Sequence, residues 1–167
     1  MPAASLTIIG PPLSPWQASL PPQPVGFDVI RRNTFRYCGI EGLGGTGGPQ
    51  NTLVEKNLFE WIGWQDAARM SESGGTKMHV AKNLLFRHNV IRHIRHANGI
   101  WLDIGNANVR ITGNLFADIP GHVNPHAVHI EGSEALNQID NNIIWNVRNA
   151  EPGTPGQRGA AGSGVFI

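Results

Sequence analysis

Cysteine is almost missing from this chain. Cys38 stands alone among 167 residues, which excludes an intrachain disulfide and every metal site built from several cysteines. Its place beside Gly39 suits a small buried hydrophobe. An excess of one charge is missing too. Thirteen Lys and Arg face 12 Asp and Glu, a net +1, which argues against nucleic acid or a membrane surface bound through bulk electrostatics. No apolar run approaches the length of a membrane span. No basic segment leads into a short apolar core, so no signal peptide is expected in these residues.

What is present repeats. Gly75-Thr76-Lys77-Met78-His79, Gly99-Ile100-Trp101-Leu102-Asp103 and Ala127-Val128-His129-Ile130-Glu131 superimpose at offsets of 24 and 28 residues, and every column keeps its character. A small residue leads. Thr76, Ile100 and Val128, then Met78, Leu102 and Ile130, fall on one side of a strand because side chains alternate. The other side collects Lys77, Trp101 and His129, then His79, Asp103 and Glu131. A second template, apolar, two free positions, Asn, one further position, apolar, places Asn33, Asn57, Asn89, Asn114 and Asn142 at spacings of 24, 32, 25 and 28. Such periods signal a solenoid. Short extended runs between Gly and Asn bends specify an all-β parallel β-helix of about five coils, each rung pairing only with its neighbours. Asn suits the bends because it tolerates left-handed backbone and its amide stacks on the next. The leading strand is expected again at Cys38-Gly39-Ile40-Glu41 and at Ser163-Gly164-Val165-Phe166-Ile167.

Two regions stand apart. Residues 1–26 are Pro-rich, which forbids a regular helix, though Ser5 to Ile9 fits one strand of a preceding coil; residues 27–167 form the β-helix proper. The chain stops in mid-strand at Gly164 to Ile167 with no polar cap, so a fragment, incomplete at both ends, of a longer β-helix is expected. Gly44-Gly45-Thr46-Gly47-Gly48 lacks the Lys-Ser/Thr ending of a phosphate-binding loop and reads as a flexible glycine run. Trp61 and Trp64 suit either stacking on sugar rings or packing a loop against the coil.

The run Glu72 to His79, then Arg87 to Ile91, Asn98 to Asp103, Val109 to Phe116, Glu131 and Ile139 to Ile143 carries a likeness. It resembles right-handed parallel β-helix proteins of the pectin-lyase-like superfamily, in particular a glycoside-hydrolase-like group near glycoside hydrolase family 141 with a Gly-x-Trp-Leu-Asp strand. The resemblance spans about residues 27–167 and implies a right-handed coil and a carbohydrate-active enzyme. Position by position it points to Asp103 and Glu131 as the catalytic acids. The His-rich stretch from 120 to 130 departs from what it implies.

Asp103 and Glu131 share a column on successive rungs, so their backbones are expected ~4.8 Å apart. That frame brings two outward carboxyl groups to about 5–6 Å, close to the separation in retaining glycosidases, where one attacks the anomeric carbon and the other moves the proton. The plain alternative is an acidic pair on a solvated face. Trp101, with Ile100 and Leu102 already facing inward, is expected outside the core and suits a sugar ring. His129 lies beside it. His79 is expected to orient or protonate, and Lys77 to neutralise an acidic sugar or hold a carboxylate; simple solvation is the alternative for both.

No cofactor is expected. His79, Asp103, His129 and Glu131 converge enough for Ca or Zn to be considered, and His88, His93, His96, His122 and His126 lie elsewhere, but no His-Glu-x-x-His or calcium-loop spacing occurs. Three functions remain. The first is a glycoside hydrolase acting on a polysaccharide or oligosaccharide through Asp103 and Glu131. The second is a polysaccharide lyase with Lys77 or His79 as base. The third is a non-catalytic solenoid that binds glycans or mediates adhesion. A secreted or periplasmic parent protein is expected for any of them.

Overall fold

The computed structural model describes residues 6–9, 26–65, 72–96, 98–121, 125–133, 136–149 and 162–167. Strand β1 (Leu6–Ile9) precedes five triplets of strands. The first coil holds β2 (Val29–Arg31), β3 (Thr34–Arg36) and β4 (Glu41–Thr46); the second holds β5 (Leu53–Glu55), β6 (Leu58–Ile62) and β7 (Gly74–His79). The third holds β8 (Leu85–Arg87), β9 (Val90–Ile94) and β10 (Asn98–Asp103). The fourth holds β11 (Arg110–Thr112), β12 (Leu115–Gly121) and β13 (His126–Glu131), and the fifth β14 (Gln138–Asp140), β15 (Ile143–Asn149) and β16 (Ser163–Phe166). Every third strand pairs in parallel, giving a first sheet β1-β4-β7-β10-β13-β16, a second β14-β11-β8-β5-β2 and a third β15-β12-β9-β6-β3. Four turns thus separate the first triplet from the last, and no helix occurs among the described residues.

The bend between the second and third sheets is built by the predicted asparagines. Each Asn side-chain oxygen accepts from both the backbone N–H and the side-chain amide of the Asn one coil earlier, from Asn33 to Asn57, Asn57 to Asn89, Asn89 to Asn114 and Asn114 to Asn142, at 2.9–3.1 Å. The amides also donate across the bend, Asn89 to the Val54 carbonyl at 3.0 Å and Asn114 to that of Phe86 at 3.1 Å. The left-handed backbone expected at these asparagines lies one residue earlier, at Arg32, Lys56, His88, Gly113 and Asn141, with φ from 53° to 64°. That conformation turns each such N–H toward the next coil, as Lys56 N–H to the Arg87 carbonyl at 3.2 Å shows. The ladder asparagine then ties both coils together through its side chain.

Inside, the short strands of the second sheet give one apolar residue each and the longer strands of the other two sheets, such as β9, β10 and β12, give two; the phenyl rings of Phe35 and Phe59 stack at 4.7 Å. The small residue that leads each first-sheet strand is required by close approach. A Cβ on Gly99 would lie 2.6 Å from the Ala127 carbonyl oxygen and 2.8 Å from Phe116, and one on Gly75 2.5 Å from the Gly99 carbonyl oxygen, so the column has no room for a side chain at Gly42, Gly75 or Gly99 and admits its first methyl at Ala127. This corrects the first coil. The strand expected at Cys38 to Glu41 runs instead from Glu41 to Thr46, with Leu43 opposite Thr76 and Gly44 opposite Lys77. Gly44, Gly45 and Thr46 of the glycine run are therefore strand, and Gly47 and Gly48 turn out of it at positive φ. At Gly45 a Cβ would meet the sulfur of core Met78 at 2.5 Å, whereas at Gly44 it would meet only the end of the flexible Glu41 side chain.

Asn89 is buried in the middle of the ladder, whereas Asn33 is exposed at its first rung. Replacing Asn89 by Ala strips the Asn57 N–H and the Val54 carbonyl of their partners. Asn89→Ala should lower unfolding stability by about 2–4 kcal/mol, and Asn33→Ala by well under half of that, measured by urea titration.

Candidate functional site

The polar columns form as their spacing predicts. On the outer side of the first sheet Trp101 is the direct partner of Lys77 and of His129, and Asp103 is the direct partner of His79 and of Glu131. All six predicted site residues therefore lie on one patch of three adjacent strands. The turn that follows is pinned by Asn106, whose side-chain amide donates to the Asp103 carbonyl at 3.0 Å.

Solvent exposure of this face is not as expected. Lys77 is 3 %, His129 4 %, Trp101 8 % and Asp103 8 % exposed, while His79 and Glu131 are half-buried. The cause lies in the column. The Lys77 ammonium sits 4.0 Å over the Trp101 ring, Trp101 stacks on His129 at 5.0 Å and 19°, and Phe166 closes against His129 at 5.2 Å. Residues one coil apart present flat faces at strand spacing, so each covers its neighbour. The stack belongs to the outside of the coil, yet the alternative of simple solvation fails for Lys77. The open part of the patch is its far edge, at His79 and Glu131.

Charge is concentrated around Asp103. Its Oδ2 lies 3.1 Å from Lys77 Nζ and 3.6 Å from His79 Nε2, and Lys77 Nζ is also 3.3 Å from an exposed Glu72 carboxylate. The Lys77 ammonium is engaged by Asp103, Glu72 and the Trp101 ring. Asp103 is consequently fixed in position between the Lys77 ammonium and the His79 imidazole in a site largely closed to water.

Several members of the patch escaped the sequence reading. Phe166 occupies the Trp101 column, a place legible once Gly164 is laid over Gly99, but it reads as an ordinary apolar strand residue. Glu72 precedes its strand and carries no column signal. His126 opens β13, stacks on Phe166 at 4.6 Å and meets His129 edge-on at 5.2 Å. Asn98 reaches the His129 Nδ1 at 3.4 Å. Buried His126 Nδ1, the Asn98 side-chain oxygen and Trp101 Nε1 have no hydrogen-bond partner among the described residues, and so form an unsatisfied polar lining beside the ring stack. Burial, and then the neighbouring His129, push the His126 imidazole down to about 4.

The other histidines stay apart from this patch. His88 and His93 lie on the second and third sheets' side of the coil, His96 is buried ahead of β10, and His122 lies outside the described residues. Among the described residues no three His, Cys, Asp or Glu side chains converge as a metal site requires. A family model described as a right-handed beta helix region matches residues 26–163. No curated protein and no solved structure matches the chain.

His126 generates a pH dependence whose sign follows from its lowered value. The unfolded chain takes up a proton near pH 6.5, whereas the folded chain resists until about 4. The stability contributed by neutral His126 is therefore complete above pH 6.5 and is lost as pH falls toward 4. Melting temperature followed by circular dichroism should decline across that window. His126→Phe, which retains a ring against Phe166, should flatten the decline; an unchanged slope would refute the assignment.

Proposed function

The chain belongs to the right-handed β-helix family, a fold found in pectin-lyase-like carbohydrate-active enzymes, and on that premise we propose that it is a glycoside hydrolase of the kind near family 141, acting on a polysaccharide. The observation that carries this reading is the direct pairing of Asp103 with Glu131 on adjacent strands, with Asp103 held by Lys77 and His79. Paired strands lie ~4.8 Å apart, which frames the carboxyl groups near the 5–5.5 Å of a retaining mechanism.

In this mechanism Asp103, fixed as an anion-bearing group by Lys77, attacks the anomeric carbon while Glu131, at the half-open edge, protonates the departing oxygen. Glu131 then takes the proton from the water that releases the sugar with retained configuration. Trp101 and His129, covered by their neighbours in the stack, back the carboxylate pair, and entry is from the edge where His79 and Glu131 meet solvent. The 3.6 Å contact of His79 with Asp103 favours a second reading, a lyase in which this pair removes the proton next to a uronate carboxylate. Lys77 suits that base less, because its nitrogen is engaged by two carboxylates.

A panel of neutral and acidic polysaccharides, assayed for reducing ends and for the ultraviolet absorbance of unsaturated uronates, separates the readings. A hydrolase releases reducing ends without the absorbance. Asp103→Asn and Glu131→Gln should each reduce turnover by about 100-fold or more, the scale of a lost acid-base group or nucleophile. Near-normal turnover in both variants defeats the hydrolase, and no product at all from the native chain leaves a glycan-binding solenoid.

A further inference from the structure

The third sheet carries a surface that the first sheet's chemistry does not use. Beyond its outward strand positions the chain turns through left-handed backbone on every coil, at Tyr37, Trp61, His93, Asp118 and Asn146, with φ from 51° to 56°. The architecture imposes this conformation, since Tyr37 N–H must reach the Glu60 carbonyl of the next coil at 3.3 Å. Asn, Asp and Gly adopt it readily and bulky side chains do not. The fourth and fifth coils follow that preference with Asp118 and Asn146, bonded at 2.6 Å. The first two coils violate it with two large aromatics, Tyr37 and Trp61, both left about half-exposed.

Those aromatics are ordered. Trp61 stacks on His93 at 4.3 Å and 17°, and the Trp64 indole N–H donates to the Tyr37 carbonyl at 2.8 Å. With Arg95 they line a groove of about 560 Å³, the size of a small-ligand site. The flank of the groove is cationic. On the third sheet and its corner, Arg32, Arg36, Lys56, Arg92 and Arg95 face Glu60 and Asp118, an excess of three positive charges on a chain whose net charge is only +1. Glu60 is spent bridging Arg36 and Arg92, and Asp118 lies 3.8 Å from His93 Nδ1. Arg32 and Lys56, one coil apart, line an adjoining hollow with His88 and Arg92.

We propose that this face of the first three coils binds an acidic polysaccharide, sugar rings lying in the Tyr37, Trp61 and Trp64 groove and carboxylates meeting Arg95 and the Arg32–Lys56 corner. Bulky aromatics placed where the backbone resists them, beside a local surplus of cation, fit a chain that offers flat C–H faces and regularly spaced negative charge. The inference rests on the reading of the protein as glycan-active, but its surface is a different sheet from the Asp103–Glu131 pair. It makes the third sheet an anchor and the first sheet the place of reaction.

Affinity electrophoresis of the full chain through gels containing polygalacturonate, neutral hydroxyethyl cellulose or single-stranded DNA tests it. The native chain should be retarded by polygalacturonate and far less by the other two. Trp61→Asn, which places at this turn the residue already present at Asn146, should weaken retardation by about tenfold, the scale of a lost aromatic stack, without lowering the melting temperature. The double variant Arg32→Gln, Lys56→Gln should weaken it and reduce its salt dependence, whereas Asp103→Asn should leave it intact. Retardation that survives both third-sheet changes, that Asp103→Asn abolishes, or that DNA matches overturns the proposal, as does a destabilised Trp61→Asn. Should hydrolysis prove absent while retardation still depends on Trp61, the catalytic reading falls and this one stands.

Discussion

Everything in this molecule depends on one repeated bond, the backbone N–H of a left-handed corner residue donating to a carbonyl one coil onward. It occurs at Arg32, Tyr37, Lys56, Asn83, His88 and Ile104, at 2.8–3.3 Å. A corner that both turns the chain and keeps its N–H pointing along the coil axis lets three sheets pair without leaving buried donors unmatched. The interior asparagine ladder completes the account at one bend. A second, exposed ladder, Asn108 to Asn83 at 2.7 Å and Asn83 to Asn51 at 3.0 Å, marks another corner.

In-register stacking also decides the character of the candidate site. Because coils superimpose, a change of residue type in one column is felt directly above and below. Lys77, Trp101, His129 and Phe166 thus become a continuous pile of a cation and three rings, and the adjacent column gathers His79, Asp103 and Glu131. Ionic contacts follow the same geometry. Glu60 holds Arg36 and Arg92 from the coils on either side, and Asp140 is drawn down to about 2 by Arg110 and Thr112 one coil earlier.

Periodicity made the fold legible. The five asparagines and the two outward columns can be placed because side-chain alternation and coil length are both read directly from spacing. Where periodicity failed, the reading failed. Glycines at 44 and 45 carry no side chain to declare a column, so a strand passed for a loop, and its neighbour at Cys38 to Glu41 was taken in its place. The left-handed residue was misassigned by one position because Arg32, Lys56 and His88 are not residues that advertise it. Burial of Lys77 and Asp103 was hidden for another reason. It arises from stacking between coils and from contacts such as Glu72, which alternation along a single strand does not encode.

The asparagine ladder and the strand pairings share a further property: each joins residues 24 to 37 positions apart and none skips a coil. Mechanically, the described coils are links in series. A load that parts one coil from the next leaves the remaining interfaces whole, and each parted coil frees 24 to 37 residues, roughly 80–130 Å of extended chain. Stretched from its ends, such a solenoid lengthens in discrete steps, each step sized by the loop that a given coil carries.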